Sequence, residues 1–239
     1  MQKIEEKYKV TEEYKIKGKL ILIVGAGGNS GGHFSIGMPA ACECDAVLAE
    51  LDERKESLNE VIDDIKTSEL PVKTSIYLYS KNDLNDRISL YKNIEKKFGH
   101  ISCILDVEGI NTTYDFPESK KIIQKPIKNK EDMKERYQIS PNDSFKGKKI
   151  LVFGASGNWG SHITMGMALL GKADLILVDW ENNKEKIEKL KNEIGNKVKV
   201  NCEFMKKNEK FERYILYEKM KKLYGNFDAF MDVVEININ

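Results

Sequence analysis

The sequence predicts an α/β protein made of two tandem βαβαβαβ units, each a parallel sheet with helices on both faces. Three observations predict this. Displaced by 129 positions, residues 1–50 match residues 130–179 at 17 positions, so one unit is written twice. Within each copy, short apolar runs alternate with stretches of helical period, the pattern of strands joined by crossover helices. The first apolar run of each copy then ends in a glycine-rich turn that opens a helix.

The repeat sets the domain organisation. KIKGKLILIVGAGGNSGGHFSIGM lies over SFKGKKILVFGASGNWGSHITMGM, and Tyr8 in the lead-in lies over Tyr137. Further on, after a three-residue deletion, KKFGHISCILDVEGIN lies over KKLYGNFDAFMDVVEIN. Copy one therefore spans 1–129 and copy two 130–239. The stretch Asn111–Lys130 contains Pro117, Pro126 and the lysine-rich run KKIIQKPIKNK, and it reads as a surface connector.

The elements follow in order. In copy two, Lys149–Phe153 is a compact apolar run closed by Gly154, the signature of a buried parallel strand. Gly160–Leu170 has helical spacing, with Ile163, Met167 and Leu170 on one face. Ala173–Val178 is the second strand. Residues 181–195 form a helix with Ile187, Leu190 and Ile194 on one stripe and Gly195 as C-cap. Lys197–Phe204 is the third strand, Glu209–Tyr224 a helix stopped by Gly225, and Phe227–Val233 the fourth strand. Copy one repeats the series, with strands near 20–24, 45–50, 73–79 and 101–107; Pro39 should kink or shorten its first helix. Right-handed crossovers give the strand order 3-2-1-4 in each unit.

Composition narrows the function. The 239 residues carry 39 Lys and Arg against 38 Asp and Glu, a net charge of +1. That balance leaves no electrostatic footprint for nucleic acid or an anionic membrane. The longest uncharged apolar run, Leu20–Gly28, is too short to cross a bilayer, which takes ~20 residues. The charged start MQKIEEKYKV has no apolar signal core. Cys42, Cys44, Cys103 and Cys202 lack both disulfide-framework and zinc spacing, so reduced thiols and a cytoplasmic location are expected.

The chemistry sits in the turns. They read Gly25-Ala26-Gly27-Gly28-Asn29-Ser30-Gly31 and Gly154-Ala155-Ser156-Gly157-Asn158-Trp159-Gly160, both G-A-x-G-N-x-G. The first glycine permits a tight turn, the middle one lets backbone amides approach a pyrophosphate, and the last lets the helix pack against the strand. The helix N-terminus then offers free N–H groups and a positive dipole to the anion. Each second strand ends in an acid 25 residues after the first glycine, Glu50 and Asp179. A carboxylate there hydrogen-bonds the adenosine ribose hydroxyls and repels a 2′-phosphate, favouring NAD over NADP. Arg54 and Lys55 follow closely in copy one and weaken that preference there. Trp159 stands where its ring could meet a ligand or bury against the helix.

These residues resemble the short-chain dehydrogenase/reductase superfamily. FKGKKILVFGASGNWGSHI, the acid of LVDWE and KKLYGNFDAFMDV carry the resemblance, which covers nearly all of each copy but only the first half of the family's domain. It implies a Rossmann-like fold, a nicotinamide cofactor and oxidoreductase activity. Departures bear on the activity. Ser80 and Lys206 stand where the family carries an adenine-binding Asp. Asp106-Val107-Glu108-Gly109 and Asp232-Val233-Val234-Glu235 stand in place of its Asn-Asn-Ala-Gly segment. The region bearing the family's Ser and Tyr-x-x-x-Lys is missing from both copies. The two matches, Tyr77/Lys81 and Tyr217/Lys221, fall in strand three and in the helix before strand four, and chance accounts for them. His33 and His162 fall in matching first turns of a helix and are read as structural; His100 falls in a loop.

Two readings of function stay open: an NAD-linked oxidoreductase with an unusual or borrowed proton donor, and a non-catalytic dinucleotide-binding pseudoenzyme or subunit. In each copy strand four would be a free apolar edge. Pairing of the two copies into one continuous pseudo-twofold sheet would cover it, as would a homodimer or a partner subunit.

Overall fold

The structure is a computed structural model. It describes residues 16–67, 72–111, 144–169, 171–206 and 212–237. Tyr8, Tyr137, Leu170 and the connector beyond Asn111 lie outside the described residues. The chain divides into two compact units, whose described residues lie within 16–111 and 144–237.

The N-terminal unit runs β1 (Leu20–Val24), α1 (Asn29–Cys42), β2 (Asp45–Leu51), α2 (Lys55–Thr67), β3 (Thr74–Tyr79), α3 (Arg87–Phe98) and β4 (Cys103–Asp106). Every pairing is parallel: β1 with β2, β1 with β4 and β2 with β3, so the order is β3-β2-β1-β4. The C-terminal unit repeats it with β5 (Lys149–Phe153), α4 (Asn158–Leu169), β6 (Asp174–Trp180), α5 (Lys184–Ile194), β7 (Val200–Met205), α6 (Arg213–Tyr224) and β8 (Ala229–Asp232). Its parallel order is β7-β6-β5-β8. This is the 3-2-1-4 order expected, in a Rossmann-like fold.

Sequence pattern accounts for the layers. The first strands of each unit, LILIV and KILVF, are buried from their second residue on, as strands covered on both faces must be. In α2, Leu58, Val61, Ile62 and Ile65 are buried at helical spacing, and in α5 Ile187, Leu190 and Ile194 are. Phe153 of β5 meets Phe230 of β8 edge-to-face at 5.0 Å between ring centres.

Three local expectations shift. Pro39 does not shorten its helix: α1 continues to Cys42, and Glu43 closes it with a left-handed φ of 54° and an N–H donated to the Pro39 carbonyl. The proline falls in the last turn, where few hydrogen bonds remain to be lost. The stretch expected as helix from 181 opens with a 3-10 turn over Glu181–Asn183 before α5 begins. The third strand of copy two begins at Val200, because Gly195–Lys197 turns as 3-10. Gly195 and Gly225 close α5 and α6 as expected, donating N–H to the Lys191 and Lys221 carbonyls.

The four cysteines are free thiols, three of them buried. Among the described residues no helix is long and apolar enough to cross a membrane, and no cluster of His, Cys, Asp and Glu could hold a metal ion.

Candidate functional site

Each glycine turn lies at the carboxyl end of its unit's first strand. Gly25 and Gly154 take φ of +77° and +75°, which a side chain would strain, and this bends strand into helix within a few residues. The amides at the start of α1 and α4 then converge; the sequence expects them free for an anion, and the structure shows them already taken by a side chain in both units.

An asparagine side chain stands at each convergence. In the C-terminal unit, Asn237 Oδ1 accepts from the amides of Trp159 (3.1 Å) and Gly160 (3.2 Å), and its Nδ2 donates to the Gly154 carbonyl (2.8 Å). In the N-terminal unit, Asn111 Oδ1 accepts from Ser30 and Gly31 (both 3.0 Å), and Nδ2 donates to the Gly25 carbonyl (2.8 Å). The middle glycines make room for it. A Cβ on Gly157 would stand 2.1 Å from Asn237 Cγ, and one on Gly28 2.2 Å from Asn111 Cγ. In each unit, then, two helix N-terminal amides are held by one carboxamide oxygen.

The chain after strand four places that asparagine. In the C-terminal unit a 3-10 turn over Val234–Ile236 curls back, with the Asn237 amide donating to the Val233 carbonyl (3.1 Å). Asp232 Oδ1 accepts from the Val234 amide (3.2 Å) and holds the turn's first residue. Its other oxygen pairs with Arg213 Nε at 2.7 Å, where Arg213 is 7% and Asp232 0% exposed. Burial lifts the Asp232 carboxyl to about 6, against the pull of Arg213. The N-terminal unit repeats the device: Asp106 accepts from the Glu108 amide (3.2 Å), pairs with Arg87 and accepts from the Tyr91 hydroxyl (2.6 Å).

The two acids face the turns. Asp179 Oδ2 accepts from the Ser156 amide (2.7 Å), and its Oδ1 from the Trp180 amide (2.7 Å) and Asn183 Nδ2 (2.8 Å). Glu50 Oε2 accepts from the Gly27 amide (2.7 Å) and Oε1 from the Leu51 amide (2.9 Å). Glu50 is fully buried, and burial raises it to about 7, reinforced by the charge of Glu108 and opposed by the two amides and Arg54.

The remaining predicted residues fall as follows. Gly31 and Gly160 pack against the carbonyls of Gly25 and Gly154, so close that a Cβ would stand 1.8 and 1.9 Å away. Asn29 and Asn158 open their helices at half-buried positions. Trp159 is buried, and it is its backbone that enters the corner. Ser156 Oγ is buried with no hydrogen-bond partner among the described residues. Burial lowers the pKa of half-buried His162. Tyr217 is buried against Phe227 and Phe230, and Tyr77 lies edge-on to Phe98; neither belongs to a corner.

Sequence reasoning missed the asparagines and the Arg–Asp pairs that position them. The signal was in the repeat. The matched segments close on the same Ile-Asn, carry the same Asp after three strand residues, and follow helices that share Arg87…Tyr91 and Arg213…Tyr217.

No family model and no curated protein matches the chain. Among solved structures it is similar to hydroxysteroid dehydrogenase from Escherichia coli, at 14% identity and a TM-score of 0.34, over 81% of this chain and 98% of that one. It is also similar to a short-chain dehydrogenase/reductase (glucose/ribitol dehydrogenase) from Brucella melitensis, at 12% identity and a TM-score of 0.31, over 78% of this chain and 85% of that one. Each is a likeness of fold.

Proposed function

We propose that the protein is a non-catalytic, nicotinamide-dinucleotide-binding module that takes NAD ahead of NADP. The observation that carries the reading is the convergence of two helix N-terminal amides on one acceptor oxygen, reproduced in both copies. A diphosphate oxygen makes the same two bonds with full charge, so it can displace a neutral carboxamide. Gly154, Ser156, Gly157, Asn158, Trp159 and Gly160 would hold the diphosphate, and Asp179, buried and bonded to Ser156, Trp180 and Asn183, would meet the ribose hydroxyls by exchanging its bond to Asn183. Gly25, Gly28, Asn29, Gly31 and Glu50 are their counterparts. A negative charge at Asp179 disfavours a 2′-phosphate.

Bound nicotinamide supplies a hydride, and reduction of a carbonyl also needs a placed proton donor. Among the described residues the two Tyr-x-x-x-Lys pairs supply none: Tyr217 is packed between phenylalanines, and Lys81 is paired with Glu53 at 2.8 Å. The reading is therefore binding without turnover.

Titration with NADH, read by enhancement of its fluorescence, tests this. Saturable binding with weaker binding of NADPH is expected, and no oxidation of NADH by simple aldehydes and ketones. Steady carbonyl-dependent oxidation would replace this reading with the oxidoreductase one. Failure of NADH to bind at millimolar concentration would refute both.

A further inference from the structure

The two corners are alike in backbone and unlike in what surrounds them. In the N-terminal unit, Glu108 stands where the C-terminal unit has Val234, Arg54 where it has Asn183, and Tyr79 where it has Met205. These three residues form one cluster. Arg54 pairs with Glu108 Oε1 at 2.7 Å, and the Tyr79 hydroxyl donates to Glu108 Oε2 at 3.4 Å. The Glu108 side chain is 8% exposed, Tyr79 is buried, and a Cβ on Gly25 would stand 2.8 Å from Glu108 Oε2. The carboxylate thus lies against the first glycine of the turn. The buried acid Glu50 lies on its other side, against Gly27.

We propose that the N-terminal corner is sealed against dinucleotide and that the chain takes one NAD, in the C-terminal unit; this rests on the reading above. The Glu108 carboxylate lies against Gly25, and the cation beside it, Arg54, already pairs with it. A diphosphate brought there meets the Glu108 carboxylate at short range, which disfavours it. Tyr79 is the last residue of β3 and Arg54 follows the end of β2, so the cluster stands at the strand ends, where the adenosine half would lie.

The C-terminal corner has Asp179 where Glu50 stands but no counterpart of the Glu108 cluster. Val234 brings no charge, and Arg213 offsets Glu235 at 3.4 Å. Ser156 and Gly157 are part-exposed where Gly27 and Gly28 are buried. Among the described residues the buried Ser156 hydroxyl has no hydrogen-bond partner, and copy one has glycine at that residue.

The test uses the whole chain and NAD+. Calorimetric titration gives the stoichiometry, and amide hydrogen exchange with and without NAD+ gives the place. One equivalent per chain, with slowed exchange at 154–160 and unchanged exchange at 25–31, is expected. Two equivalents, or protection at 25–31, would overturn the sealing while leaving the proposed function standing. Absence of binding at millimolar NAD+ in both the native chain and Asn237→Ala would overturn the proposed function, and the sealing with it.

Discussion

Replacing Asn237 by alanine removes three hydrogen bonds: two accepted from the α4 amides and one donated to Gly154. At about 1 kcal/mol net for each bond, the C-terminal unit should lose about 2–3 kcal/mol, the lower figure applying where water reaches the freed amides. The same free energy should appear a second time. In the native chain a diphosphate must first displace the carboxamide, and in the variant it need not. NAD affinity should therefore rise by roughly 30- to 100-fold, since each 1.4 kcal/mol is a factor of ten. Urea denaturation followed by circular dichroism gives the first quantity, and calorimetric titration with NAD+ gives the second. Asn237→Asp is the control. Its carboxylate keeps the acceptor for both amides and gains from the helix N-terminus, but it loses the bond to the Gly154 carbonyl and faces that oxygen with another, so stability should fall by about 1–2 kcal/mol. Its charge should at the same time expel the dinucleotide. A variant Asn237→Ala that loses stability but gains no affinity would refute the claim that a diphosphate uses these amides. One that loses no stability would refute the claim that the asparagine holds the turn.

Gly157→Ala should destabilise the native chain, because its methyl would collide with the Asn237 carboxamide 2.1 Å away; in an Asn237→Ala background the cost should fall, leaving a coupling of about 1–2 kcal/mol in a denaturation cycle. Arg213→Ala leaves the fully buried Asp232 carboxylate without its cation, and urea melts should show a loss of roughly 3–5 kcal/mol. Glu50 has a folded-state pKa raised to about 7 from 4.5, so the folded chain holds the proton that the unfolded chain has released. That contribution is full below about pH 4.5 and fades as pH rises through 7, so stability relative to a Glu50→Gln variant should fall by up to about 3 kcal/mol over that window. Denaturation of both proteins at pH 4.5, 6 and 8 checks the sign; a difference that does not move with pH would show that Glu50 is not held in a desolvated site.

Much of the fold was legible because it rests on local periodicity written twice. LILIV and KILVF can only be covered strands, the α5 stripe of Ile187, Leu190 and Ile194 can only face a sheet, and short parallel strands joined by helices admit few orders. The glycine turns were legible for the same reason, since Gly25 and Gly154 are needed by backbone geometry alone. Element edges such as the 3-10 turns at Glu181 and Gly195 were not, because a single turn leaves no period to read.

The sequence by itself determined two Rossmann-like units, the place of each corner and the acid beside it. Only the tertiary structure decided what fills the corners. Asn111 lies 86 residues from Gly25, and Asn237 lies 83 from Gly154. No local preference of the chain links such residues; they meet because β4 pairs with β1 in one unit and β8 with β5 in the other, and in each an Arg–Asp pair curls the chain back over the turn. The difference between the two corners is likewise tertiary, since Arg54, Tyr79 and Glu108 come from three separate segments and act together only once the sheet has brought its strand ends side by side.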